Sequence, residues 1–186
     1  MKTKLILLLL AVLPITLFSQ FTTINPDTVC INDPFATYQV PNTPNYTYVW
    51  TVSAPGVLTS GQGTNEITVD WSAAPAGGPI VDAVSVYATT PAGCDGPPIT
   101  MNVFILEINP VVTPLVFCEG DPCEDLVATP AGGVFTGPNI VNGQYCPQGA
   151  GIETVLYTIT EAGCTFTTTA DMTVYPIPVL DNISHD

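Results

Sequence analysis

Basic residues are nearly absent from this chain. Lys2 and Lys4 are the only Lys or Arg in 186 residues, against 16 Asp and Glu, and every acid lies beyond the apolar stretch that follows the lysines. If the first 20 residues, which carry both lysines, are removed, the remaining chain has no Lys or Arg to neutralise phosphates, so nucleic acid and anionic membrane surfaces are not expected partners. It cannot form side-chain salt bridges either, so its stability must come from apolar burial, backbone hydrogen bonds and disulfides. Histidine is almost as scarce: His185, next to the last residue, is the single imidazole. Nucleophilic catalysis needs a base beside Ser, Thr or Cys, and neither a lysine nor a well-placed histidine is there to serve. Paired carboxylates exist by number, but glycoside hydrolysis also needs a deep cleft, which small β domains do not provide. No enzyme is expected.

Other absences narrow the reading further. Gly61 and Gly63 lie between strand-like runs rather than between a strand and a helix, so they are turn glycines and not a phosphate loop. No C-x-x-C pair occurs, the closest cysteines being Cys118 and Cys123, which argues against zinc. Beyond the first 20 residues no segment is long and apolar enough to span a bilayer, and none keeps a helical period.

Met1 to Gln20 has a charged start, an apolar run from Leu5 to Val12, a helix-breaking Pro14 and a small Ser19. This is the pattern of a secretory signal peptide cut after Ser19 or Gln20. The run is too short for a membrane anchor, and no Cys follows it to accept lipid. The chain is therefore expected to be secreted or displayed at the cell surface. Six cysteines in an exported chain then point to disulfides.

The chain repeats itself. Cys30-Ile31-Asn32-Asp33-Pro34 and Cys118-Glu119-Gly120-Asp121-Pro122 share C-x-x-D-P, while Tyr87 to Cys94 and Tyr157 to Cys164 share Y-x-x-T-x-A-G-C. Two independent motifs in the same order indicate two copies of one unit. Between them, Tyr46, Tyr48, Trp50 and Val52 alternate with smaller or polar residues, as do Ile67, Val69 and Trp71, and Val155, Tyr157 and Ile159. Period two with Gly and Pro punctuation means strands. The expected fold is all-β: two tandem antiparallel β-sandwiches, residues 21–109 and 110–178, after a signal peptide over 1–20. Residues 179–186 are a tail or the start of a truncated third unit.

Six cysteines allow many connectivities. Cys30 and Cys94 occupy places in the first unit equivalent to those of Cys118 and Cys164 in the second. That equivalence predicts Cys30–Cys94 and Cys118–Cys164, with Cys123–Cys146 by elimination.

The run Tyr48-Val49-Trp50, then Gly61 to Trp71, then Ala92-Gly93-Cys94 resembles the PKD-like domain of exported Bacteroidota proteins. The second unit, with Gly132-Gly133-Val134-Phe135-Thr136-Gly137 and Asn142-Gly143-Gln144-Tyr145, is similar to the related Ig-like repeat of those proteins. The resemblance implies a surface or secreted multi-domain protein whose units act as spacers or adhesive modules. Other surface proteins or glycans are the partners it suggests, with no membrane insertion of the mature chain.

Five sites are candidates for more specific chemistry. Glu119, Asp121, Glu124 and Asp125 cluster in sequence and could offer oxygen ligands to calcium, though they lack the spaced loop pattern and also read as a solvated acidic turn. Tyr46, nearer a strand end than Trp50 or Trp71, is the aromatic most open to stacking on a glycan, whereas both tryptophans read as core. Asp27-Thr28-Val29 looks like an O-glycan acceptor, with Thr28 the modified residue. Asn45-Tyr46-Thr47 and Asn182-Ile183-Ser184 fit the N-linked sequon.

Overall fold

The computed structural model describes residues 26–180. The leader, His185 and the Asn182 sequon lie outside the described residues. Those residues form strands and turns without a helix, and they build two sets of sheets in sequence order.

The first set holds β1 (Asp27–Cys30), β2 (Ala36–Gln39), β3 (Thr47–Val52), β4 (Val57–Ser60), β5 (Glu66–Asp70), β6 (Gly77–Thr89) and β7 (Ile99–Leu106). One sheet runs β1-β7-β6-β3 and faces a second running β2-β5-β4. The alternation read from the sequence sets which side chains point inward. Tyr48 and Trp50 of β3, and Ile67 and Val69 of β5 with Trp71 just beyond it, are all buried. They join Val84 and Val86 of β6 and Val103 and Ile105 of β7 in a single core.

The second set holds β8 (Val111–Val112), β9 (Val116–Cys118), β10 (Glu124–Asp125), β11 (Ala128–Thr129), β12 (Val134–Thr136), β13 (Ile140–Val141), β14 (Gln144–Tyr145), β15 (Gly151–Glu161) and β16 (Cys164–Tyr175). Its main sheet is β12-β15-β16-β9, covered by the smaller β10-β14-β13 and β11-β8 pairings. Val155, Tyr157 and Ile159 of β15 meet Tyr145, Phe117 and Met172 in a core separate from the first. The long β15–β16 hairpin closes through Ala162 and Gly163, at φ 48° and 83°. Two successive positive φ angles are what a two-residue type I′ turn requires, which explains the Ala-Gly pair before Cys164.

Pairing is antiparallel with two exceptions. β1 runs parallel to β7, with Cys30 opposite Leu106, and β9 runs parallel to β16, with Cys118 opposite Tyr175. Both C-x-x-D-P motifs then make the same turn. Asp33 N donates to Cys30 O at 3.2 Å, and Asp121 N donates to Cys118 O at 3.1 Å. The third residue, Asn32 or Gly120, takes φ 64° or 87°, a left-handed conformation that Asn and Gly tolerate best.

These parallel edges correct the expected disulfides. Cys30 lies at the far end of β7, whereas Cys94 lies in the turn that precedes its first residue. Eight residues of strand separate the ends by about 23 Å at roughly 3.3 Å per step. Bridged cysteines need Cα atoms closer than ~7 Å, so Cys30–Cys94 cannot form. Cys118 and Cys164 flank the twelve-residue β16 in the same way, so that bridge is impossible too. The structure instead pairs Cys30 with Cys164, Cα atoms 5.4 Å apart, and Cys123 with Cys146, and leaves Cys94 and Cys118 as exposed thiols. The first bridge crosses from one unit to the other, joining the C-terminal edge of the first sandwich to the hairpin tip of the second.

Candidate functional site

Asn45, at φ 65°, turns the chain just before β3. Tyr46 N donates to Thr43 O at 3.2 Å, and the Tyr46 ring is left 40 % exposed. Tyr48 points the other way into the core, and its hydroxyl ties the loop down. That hydroxyl donates to Pro41 O at 3.0 Å and accepts from Thr43 N at 2.6 Å. The result is an open groove of about 310 Å³ lined by Val40, Pro41, Tyr46, Tyr87, Pro97 and Ile99 among others. No carboxylate lines it, and Thr43 is its one hydroxyl apart from the tyrosines. Such a surface can stack on a flat apolar face, as a sugar ring presents, and has no charge with which to recognise an ion.

Both tryptophans are spent on the core. Trp50 Nε1 donates to Thr64 O at 2.8 Å, and Trp71 Nε1 donates to the Tyr38 hydroxyl at 3.1 Å. Burial with a partner for the indole N–H removes them from ligand binding. Trp50 does not pack on a disulfide inside its sandwich, because the first unit has none of its own. Its backbone is satisfied by a side chain: Trp50 N donates to Gln62 Oε1, and Gln62 Nε2 donates to Trp50 O, both at 2.8 Å. Gln62 thereby closes part of the open edge of β3, which would otherwise offer a template to another strand.

The four carboxylates expected to hold calcium do not converge. Asp121 Oδ2 accepts from Cys118 N at 2.7 Å, within its own turn, and Asp125 Oδ1 accepts from Gln144 Nε2 at 3.0 Å across the β10–β14 pair. Glu124 and Asp125 are neighbours on a strand, so they point to opposite faces. Among the described residues no three His, Cys, Asp or Glu gather as a metal site. Thr28 lies half-buried on the edge strand β1, opposite Phe104.

Two tyrosines carry shifted acidities. Burial, then the hydrogen bond to Glu153 and its charge, push the Tyr145 hydroxyl up to about 12. Tyr145 Oη donates to Glu153 Oε2 at 2.8 Å, and Asn139 Nδ2 holds both carboxylate oxygens at 2.9 and 2.8 Å. Tyr38 is also raised, first by burial and then by the charge of Asp27. Both are packing residues of their units' cores.

What the sequence reading missed is the junction between units. Cys30 and Cys164 were visible as motif residues, and the missing signal was strand direction: a first strand parallel to the last places its cysteine at the far end of its own unit. The molecule belongs to the class of tandem β-sandwich modules stapled by disulfides. A family model of the PKD-like domain matches residues 18–102, which take in the first unit as far as the middle of β7. The first unit is thus similar to a PKD-like domain.

No curated protein matches the chain. Among solved structures, the I-band fragment I67–I69 of titin aligns with 82 % of this chain and 64 % of its own, at 13 % identity and TM-score 0.36. Drosophila N-cadherin EC1-3 aligns with 81 % of this chain and 64 % of its own, at 9 % identity and TM-score 0.30. Human protocadherin-24 EC1-2 aligns with 82 % and 95 % of the two chains, at 12 % identity and TM-score 0.33. The chain spans 62 % and 64 % of the titin chains it matches. Among the described residues no helix is long and apolar enough to cross a membrane.

Proposed function

We propose that this chain is an exported structural or adhesive module, in which the units over 21–109 and 110–178 act as a spacer of fixed length at a cell surface or in a secreted protein. The observation that carries this reading is the Cys30–Cys164 bridge, with a sequence separation of 134. The few residues between Leu106 and β8 would alone leave two domains free to hinge. A second covalent tie across the junction restricts that freedom, which a spacer needs and a catalyst does not. Two bridges also suit an oxidising compartment, in keeping with the secretory leader. Small-angle scattering tests the reading. The oxidised chain is expected to give one narrow distribution of lengths, and the paired variant Cys30→Ser with Cys164→Ser a broader one with both domains still folded. Equal distributions would remove the spacer role from the bridge.

A second reading, glycan binding, is favoured by the exposed Tyr46 ring over its open groove. A glycan array with the intact chain and with Tyr46→Ala decides it. Binding that disappears on removal of the ring supports the groove; no bound glycan, or binding unchanged by the variant, rejects it.

A further inference from the structure

The two thiols left over occupy the two places that the inter-unit bridge uses. Cys118 stands where Cys30 stands: each is the last residue of an edge strand, opposite the last residue of its unit's final strand, Tyr175 or Leu106. The residue after each donates to that same carbonyl, Glu119 N to Tyr175 O at 2.8 Å and Ile31 N to Leu106 O at 2.9 Å. Cys94 stands where Cys164 stands, at the close of a hairpin tip. Thr90 N donates to Cys94 O at 3.0 Å to shut that turn, and Glu161 pairs with Cys164 in the other. The partnered Cys164 is 1 % exposed, whereas Cys94 and Cys118 are both exposed. Each lies at the end of its own unit away from the Cys30–Cys164 junction.

We infer that Cys118 of one copy of this chain bonds Cys94 of the next, repeating between molecules the junction that Cys30 and Cys164 make within one. The internal junction is the second observation that two exposed thiols alone would lack: it shows the same edge-strand cysteine accepting the same hairpin-tip cysteine. The contact is head to tail, so each copy added leaves one new Cys118 and one new Cys94 free, and growth is open-ended. Acids flank both pairs, Asp33 and Glu161 the bonded cysteines and Glu119, Asp121 and Asp95 the free ones, so the intermolecular contact meets one more carboxylate and is favoured by salt. Each bond takes two thiols to a disulfide, with two electrons and two protons passing to a small-molecule disulfide, which is released as two thiols. Intermolecular bonding lacks the linker that holds the internal partners together, so it depends on protein concentration.

The inference rests on the spacer reading through the Cys30–Cys164 bridge, and peptide mapping of that bridge in the same samples separates failure of one from failure of the other. The folded chain is incubated with a glutathione redox buffer and run without reductant. A ladder of multiples is expected, with a crosslinked peptide pair joining Cys118 to Cys94. Cys94→Ser and Cys118→Ser, both at exposed positions, are each expected to remain monomeric, and their equimolar mixture to stop at a dimer. Homodimers of either variant forming as readily as the mixed dimer would overturn the inference. So would glutathione adducts alone, or a Cys94–Cys118 bond within one monomer.

Discussion

Trp71 is 0 % exposed, and the space for its ring is kept by the absence of a side chain at position 56. A Cβ on Gly56 would lie 2.6 Å from two ring carbons of Trp71, and one on Gly133 would lie 2.5 Å from the Tyr157 ring. Gly56→Ala is therefore expected to cost about 1–3 kcal/mol, as overpacking does, which urea denaturation would measure. An unchanged midpoint would mean that the ring can move aside. Tyr145 contributes to the alkaline limit. Its folded pKa of about 12 stands above the ordinary 10.0. The unfolded chain therefore loses that proton first, and the stabilisation, complete below pH ~10, is lost as pH rises towards 12. Tyr38 acts in the same direction. The described residues contain no lysine whose deprotonation could produce the same slope. Tyr145→Phe should flatten the fall in melting temperature above pH 10, and an unaltered slope would assign it elsewhere.

At the scale of elements, long strands were legible and short ones were not. Tyr48, Trp50, Ile67, Val69, Val155, Tyr157 and Ile159 announce themselves by period two because each lies on a strand with one buried face. β10, β13 and β14 have two residues each, too few to show a period, and a staple helps to hold them. Cys123–Cys146 ties the turn before β10 to the residue after β14, across a separation of 23. Chain-entropy reasoning assigns such a loop about 3 kcal/mol. Replacing both cysteines by Ser should lower the unfolding free energy of the second unit by about that amount and leave the first unit's transition in place. Tyr46 shows the limit of pattern reading at a site: it continues the alternation of β3 but falls one residue before the strand begins, on a turn, and so faces solvent. The acidic cluster failed for a related reason. Nearness in sequence does not bring carboxylates together when a turn uses one of them and a strand points two others apart.

For the molecule as a whole, the scarcity of cations, two Lys or Arg against 16 Asp and Glu, has a consequence that salt should reveal. Carboxylates repel one another with no compensating ion pair, so raising ionic strength from low values to ~0.15 M is expected to raise the melting temperature. A fall would imply attractive charge interactions that the composition does not allow. The larger matter is how two sandwiches are tied to one another. Sequence equivalence placed the cysteines correctly within each unit, yet it assigned their partners wrongly, because equivalence carries no direction. The parallel pairing of β1 with β7 and of β9 with β16 supplies the direction and turns an intra-unit expectation into an inter-unit bridge. Non-reducing peptide mapping of the folded chain tests this most directly. It should recover Cys30 joined to Cys164; recovery of Cys30 joined to Cys94 would contradict the account.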